Sequence, residues 1–309
     1  MIVTVTLNPA LDKTAQVPRL ALDTVNRITS MRTDPGGKGI NVSKTIAALG
    51  GDSIAMGLLG GGSGRAILTA LEEMELDCRF VTIPGETRTN LKLIDPVQHT
   101  HTDINEPGAP VSREHLEKLL QQLCHTIQPG DLVVFSGSLP VGAPPDTYRT
   151  WIETCNRAGA HAFLDADGVA LQEGLKGGPW LVKPNSAELS RLVGRPLTCL
   201  SQIAQAAKQL LNKNTRHVVV SLGSQGALFI EEGWCILADP LTVEVKSTVG
   251  AGDSMVAALA LAHQRHLSAE ETIRMSMAAS AAAVMCSGTQ PASPEDVKKL
   301  MPLVHFRPL

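Results

Sequence analysis

Aromatic side chains are scarce: three Trp, one Tyr and five Phe make up 3% of the 309 residues. Such a chain carries no stacking platform for single-stranded nucleic acid, and Ala, Val, Ile and Leu must fill its core. Excess positive charge is missing too. Lys plus Arg is 27 against 30 Asp plus Glu, a net charge of −3, whereas binding nucleic acid by bulk charge needs the opposite balance. The six cysteines lie far apart, at 78, 124, 155, 199, 235 and 286, with no CxxC pair. That excludes a disulfide scaffold and zinc-finger spacing and points to free thiols in a reducing compartment. No apolar run reaches the roughly 18 residues of a membrane span. The opening MIVTVTLNPALDK has neither a basic segment nor a long apolar one, so it reads as a strand rather than a secretory signal. The expected location is cytoplasmic. Repeats of fixed period and low-complexity segments are also missing.

What is present suits a large core. Hydrophobic residues are 43% and charged residues 18%. The length allows two domains or one large α/β domain. IVTVTL (2–7), GDLVVFSG (130–137), HAFLDADG (161–168), PWLVKPN (179–185) and HVVVSLG (217–223) read as short buried strands. Helical patterns at 40–49, 147–159, 186–193, 201–213, 254–265 and 271–285 separate them. This alternation predicts βαβ units and a parallel sheet covered on both faces. Two more polar segments, 12–33 and 88–105, interrupt the rhythm, and TNLKLID followed by HTHTDIN reads as a hairpin around Asp95-Pro96. They predict a small extra sheet, with plain surface loops as the alternative. In an open parallel sheet a ligand sits at the carboxyl ends of the strands. Those ends carry Asn8, Asp12, Ser136, Ser138, Asp165, Lys183, Asn185, Ser221 and Gly223.

Three motifs carry chemistry. LTVEVK (241–246) reads as a strand and SMVAALALAHQR as a helix, with Gly250-Ala251-Gly252-Asp253 between them. Glycines there turn several N–H groups toward one point, and a helix N-terminus adds partial positive charge. Asp253 at the mouth of such an anion hole is a candidate base for phosphoryl transfer. The plainer alternative is a helix N-cap. Pro35-Gly36-Gly37-Lys38-Gly39-Ile40-Asn41 lets backbone approach a ligand before a helix. It is neither a Walker A loop nor a dinucleotide fingerprint. Asn185 and Glu188 lie on one face of a helix start. They could hold Mg²⁺ through water or form a capping box. The glycine run 60–64 reads as a flexible connection.

GGKGIN, NSAE and TVGAGD, in that order, resemble the motifs of the ribokinase-like (PfkB-family) carbohydrate kinases. TVTLNPALD, SGSLP (136–140), LVKPN, VVSLG and STVGAGDSMV are similar to its phosphosugar branch, over nearly the whole chain. The resemblance implies one domain over 1–309, a three-layer α/β/α fold with a mostly parallel sheet and a β lid from 12–33 and 88–105. It implies ATP and Mg²⁺, with Asp253 as base and the amides of Gly250, Ala251, Gly252 and Asp253 as anion hole. Asp12, Gly37, Lys38, Asn41 and Ser138 would hold the sugar, with Arg88 and Arg27 on its phosphate. Lys183, Asn185, Ser221, Gly223, Gly250 and Gly252 would hold the nucleotide, and Asn185 and Glu188 the Mg²⁺ through water. Position 247 is Ser where many members have Asp, and Val169 replaces an expected Glu. The implied reaction converts D-fructose 1-phosphate to D-fructose 1,6-bisphosphate. Tagatose 6-phosphate or fructose 6-phosphate are the alternative substrates, and a sugar-phosphate sensor is the non-enzyme alternative. A lid with one apolar face predicts a homodimer through the lids.

Overall fold

Alternation along Leu132–Ser136 sets the layering. Leu132 and Val134 join a core with Ile2, Phe163, Leu181 and Val219 on one face of the sheet. Val133 and Phe135 join Val3, Val5, Leu164 and Val220 on the other. The computed structural model describes residues 1–286 and 288–309. In chain order it contains β1 (Ile2–Thr6), β2 (Ala10–Gln16), β3 (Ser30–Gly36), α1 (Lys38–Ala48), β4 (Ile54–Gly60), α2 (Gly61–Glu73), β5 (Asp77–Ile83), β6 (Arg88–Asp95), β7 (Thr100–Asn105) and α3 (Arg113–Thr126). Next come β8 (Leu132–Ser136), α4 (Thr147–Arg157), β9 (His161–Asp165), α5 (Gly168–Lys176), β10 (Leu181–Val182), α6 (Ser186–Leu192) and α7 (Leu200–Lys208). The chain closes with β11 (His217–Ser221), β12 (Ala227–Glu231), β13 (Trp234–Ala238), α8 (Ala251–Gln264), α9 (Ala269–Val284), α10 (Pro294–Leu300) and β14 (Phe306–Pro308).

The large sheet has ten strands in the order β14-β13-β12-β11-β10-β9-β8-β1-β4-β5. From β11 to β5 every pairing is parallel, and β12, β13 and β14 add an antiparallel edge. Helices α3 to α7 cover one face and α1, α8, α9 and α10 the other, giving the expected three layers. Alanine does the work that aromatics do elsewhere. Ala257, Ala258, Ala260, Ala278, Ala279 and Ala282 are almost wholly buried, so α8 and α9 pack closely under the sheet. Among the described residues no helix is long and apolar enough to cross a membrane.

A separate four-stranded sheet has the order β3-β2-β6-β7. Residues 96–99 turn β6 into β7, and most of 17–29 is irregular and exposed. Its faces differ. Leu11, Ala15, Met31, Leu91, Leu93 and Ile104 alternate onto one side, and Asp12, Asp34, Asn90, Asp103 and Asn105 onto the other.

Two local expectations are corrected. LTVEVK is not a strand. Residues 241–246 take no place in either sheet, and the segment is tied instead to the end of α9, with Lys246 N–H donating to Val284 O at 2.8 Å. The run 60–64 is not a flexible connection. Gly60 ends β4 and Gly61 opens α2. The Glu86 carboxylate accepts from Gly62 N–H at 2.9 Å and Ser63 N–H at 3.0 Å, which satisfies that helix start from within the chain. Thr87 pins the same corner, donating from its N–H to Gly60 O at 2.9 Å and accepting from Gly60 N–H at 2.8 Å.

The glycines of GGKGIN are explained by close approach. A Cβ on Gly39 would clash with Thr6 Oγ1 and lie 3.0 Å from Val5 O, because α1 begins directly over the end of β1. Gly39→Ala therefore tests packing against propensity. Helix propensity alone would stabilise the alanine variant by up to about 1 kcal/mol, whereas overpacking costs about 1–3 kcal/mol. A lower urea midpoint with an unchanged slope is the expected result.

Candidate active site

The strand order sets Ser221, then Lys183 and Asn185, then Asp165, Ser136 and Asn8 along one rim of the sheet. The order of connections reverses at β1, which lies between β8 and β4. Here an open α/β sheet forms its crevice. Asn8 Nδ2 donates to Ser138 Oγ at 3.2 Å, joining the ends of the two strands at that point.

The TVGAGD motif lies over this crevice. Gly250 is the N-cap of α8, with φ 83° and no side-chain cap. A φ of that size favours glycine, and it leaves the first-turn amides without a side-chain acceptor. Asp253 is in the first turn of the helix rather than at its cap, which disposes of the plain capping alternative. It is 7% exposed and accepts from Asn41 Nδ2 at 2.9 Å. Burial pushes the Asp253 carboxyl up to about 6. Lys38, Asn41 and Lys183 pull it down, while Asp165 adds to the rise.

Lys38 opens α1 and reaches Asp165 Oδ1 at 3.1 Å, and Lys183 reaches the same oxygen at 3.5 Å. The carboxylate raises Lys38 above the ordinary lysine value against the effect of burial. Burial would raise Asp165, but Lys183 and Lys38 outweigh it and hold the carboxyl below its usual range. Lys183 Nζ also lies 3.3 Å from where a Gly252 Cβ would stand, so it borders the anion hole. Asp165 belongs to the site as firmly as Lys38. Its signal was its position at a strand end, and what the sequence hid was its pairing with two lysines.

Asn185 and Glu188 form the capping box in full. Asn185 Oδ1 accepts from Glu188 N–H and Glu188 Oε2 from Asn185 N–H, each at 2.8 Å. Asn185 is bridged to Ser221, and Gly223, with φ 62°, turns the chain just beyond. Among the described residues, no group of three or more His, Cys, Asp or Glu is arranged to hold a metal ion directly.

The polar face of the small sheet looks onto the same region. A cavity of about 250 Å³ is lined by Asp12, Asp34, Asn90 and Asp103 on one side and Val249 and Thr289 on the other. Asn90 donates to Asp12 Oδ1 at 2.9 Å, and burial raises the Asp12 carboxyl. A Cβ on Gly36 would strike that carboxylate, and Gly37 has φ 114°. Arg88 is half-buried, and its guanidinium donates to the carbonyls of Asn8, Pro9 and Glu106 at 3.1–3.4 Å. Arg27 is not brought into the cluster, because it lies in the exposed connection between β2 and β3. Lys44 was missed: its side chain is inside, 4% exposed, where a helical-surface lysine would be expected outside.

An open anion hole beside a buried, ionisable carboxyl, closed over by a second sheet, defines an enzyme that moves phosphoryl groups onto a small molecule. The comparison with known proteins agrees. Residues 5–296 match the pfkB family carbohydrate kinase, and the chain belongs to that family. It is 36% identical over 283 residues to the 1-phosphofructokinase of Vibrio cholerae, covering 92% of this chain and 89% of that protein. It is 37% identical to the 1-phosphofructokinase of Rhodobacter capsulatus over 309 residues, covering 100% and 98%. Among solved structures it is similar to phosphofructokinase-2 of Escherichia coli in complex with substrates and products, at TM-score 0.93 and 36% identity over 98% of both chains. The same protein in complex with fructose-6-phosphate gives TM-score 0.92 at 34% identity, again over 98% of both.

The raised Asp253 carboxyl has a thermodynamic signature. Its folded value of about 6 lies above the ordinary 3.8, so the folded chain keeps a proton that the unfolded chain has lost. Stability then falls as pH rises through that window and stays reduced above it. Asp253→Asn should raise the melting temperature at pH 7.5, by a stability gain on the order of 3 kcal/mol at most. The gain should shrink toward zero near pH 4. Equal melting temperatures at both pH values would show that the carboxyl is not strained by burial.

Proposed function

We propose that this chain catalyses the ATP-dependent phosphorylation of a ketohexose phosphate, converting D-fructose 1-phosphate to D-fructose 1,6-bisphosphate. The observation that carries the reading is Asp253, buried yet ionisable, beside the open amides of α8 and across from the polar face of the small sheet. In this reading Asp253 takes the proton of the sugar's free primary hydroxyl as that oxygen attacks the γ-phosphorus of ATP and the bond to ADP breaks. The amides of 250–253 hold the charge of the transferring group. Asp12, Gly37, Asn41 and Ser138 hold sugar hydroxyls. Arg88 has five N–H donors, of which three carbonyls take three, leaving two for the sugar's phosphate, with Lys38 as a further cation. Lys183, Asn185, Ser221 and Gly223 border the nucleotide.

Mg²⁺ fits this site only through water. The capping box uses Asn185 Oδ1 and one oxygen of Glu188. Glu188 Oε1 and Asp165 Oδ2, which is buried without a partner, remain as acceptors for coordinated water. What the ion supplies when bound is neutralisation of phosphate charge.

Fructose 6-phosphate is the second substrate to weigh, because a solved relative of high structural likeness carries it. Each ketohexose phosphate presents one phosphate and one primary hydroxyl on opposite sides of the ring, so a turned-over sugar meets the same clamp and base. Choice between them, and against tagatose 6-phosphate, rests on a few hydroxyl hydrogen bonds. A coupled ADP assay with all three should give the highest kcat/KM for fructose 1-phosphate. A tenfold preference for another, about 1.4 kcal/mol, would overturn the substrate and leave the kinase standing. Asp253→Asn should lower kcat by at least about 10²-fold, and binding of sugar phosphate with no ADP release from ATP and Mg²⁺ would point to the sensor instead.

The small sheet also supports a homodimer. Met31 and Ile104 are each more than half exposed, on the face that carries Leu91 and Leu93 and looks away from the cleft. An apolar sheet face of this kind calls for a cover, and a second copy of the sheet supplies one. Sedimentation at micromolar concentration should give a dimer, and Ile104→Asp should give a monomer. A wild-type monomer would refute the lid-to-lid contact.

A further inference from the structure

Lys44 lies one turn beyond Asn41 on α1, so the two side chains share a face of the helix. Its side chain is 4% exposed, and its ammonium donates to Pro35 O at 3.0 Å and to Asn41 Oδ1 at 3.3 Å. The other end of the same amide, Asn41 Nδ2, donates to Asp253 Oδ2 at 2.9 Å. An asparagine amide is nearly symmetric in shape, and its two ends differ only in donating or accepting. A lysine can only donate, so it accepts no orientation of Asn41 but the one with the oxygen toward itself.

We propose that Lys44 is a positioning residue for phosphoryl transfer: it holds the Asn41 amide so that nitrogen, not oxygen, faces Asp253. With the nitrogen inward, Asp253 Oδ2 is hydrogen-bonded as an anion and Oδ1 is left for the substrate hydroxyl. With the amide reversed, an oxygen would face the carboxyl, an arrangement that suits only the protonated acid, which is no base. Lys44 thus favours the working protonation state without touching either substrate or Asp253. This rests on Asp253 being the base.

The surrounding charges are consistent with an electrostatically held lysine. Asp12 of β2, Asp34 and Arg32 of β3, and Asp253 of α8 act on Lys44. Burial lowers its ammonium, while the three carboxylates oppose that. Asp253 itself faces Lys38 and Asn41 from α1, Asp165 from the end of β9 and Lys183 beyond β10.

The test is the pH profile of kcat/KM for Lys44→Met beside the unaltered enzyme. Removing the constraint on the amide should move the acid limb upward by roughly half a unit to one unit, the scale of one hydrogen bond. The loss of kcat should then be large near pH 6 and narrow toward pH 8.5, while KM for ATP stays unchanged. Lys44→Arg, which keeps the donors, should restore the limb. In an Asn41→Ala background Lys44→Met should cost little more, because the two act through one amide. Should the methionine variant not fold, Lys44→Gln serves, since a neutral amide no longer imposes one orientation, and the limb should move the same way. An unmoved acid limb, or a full additional loss without Asn41, would overturn the proposal. Asp253→Asn run in parallel separates the two failures. If that variant is near wild type, the base assignment falls. If it collapses while the acid limb of the Lys44 variants stays in place, only the role of Lys44 falls.

Discussion

A carboxyl shut away from water yet ringed by cations is the constraint on which the rest of the site depends. Burial alone would keep Asp253 protonated. Three neighbouring elements work against that. The N-terminus of α8 brings partial positive charge, α1 brings Lys38 and Asn41, and the strand ends bring Lys183. The two lysines would in turn leave an excess of buried positive charge, and Asp165 offsets it by pairing with both. What emerges is a balanced set of charges on four separate elements. Its balance requires α1, α8, β9 and the end of β10 to meet at one point, which the parallel sheet with its reversal at β1 provides.

That dependence explains which parts of the protein were legible from its residues. The main strands and helices were, because their apolar periods match burial on one or both faces. The parts of GGKGIN, NSAE and TVGAGD were legible as local chemistry, because glycine, a helix start and a carboxylate act over a few residues. The pairing of Asp165 with two lysines and the burial of Lys44 were not. Their roles come from partners 127 and 3 residues away whose meeting is a property of the fold or of a buried helix face. The misread segment LTVEVK alternates as a strand does, but the edge it would need is already taken, since β13 pairs with β14 from the end of the chain. The glycine run 60–64 looked loose because its rigidity comes from Glu86, over twenty residues away.

The small sheet shows how one element can carry two chemistries. Its period of two sends carboxylates and amides to the cleft and aliphatic side chains away from it. A one-residue slip in β2 or β6 would exchange the faces, putting Leu91 where Asn90 meets Asp12 and breaking both the polar cleft face and the outer apolar surface together. The registry of this sheet therefore decides what faces the cleft as well as how the strands pair.

The Glu86 corner has a mechanical consequence. Both α2 and α8 open at a glycine N-cap without a side-chain cap bond, and a helix start of that kind attracts an anion. Glu86 stoppers the first, while no side chain caps the second. The same corner, with Thr87 clasped to Gly60, ends one residue before β6 begins. Thr87 thus hands the chain to the small sheet from a corner locked by four hydrogen bonds. The plug at the start of α2 is also an anchor for the strand that enters the small sheet.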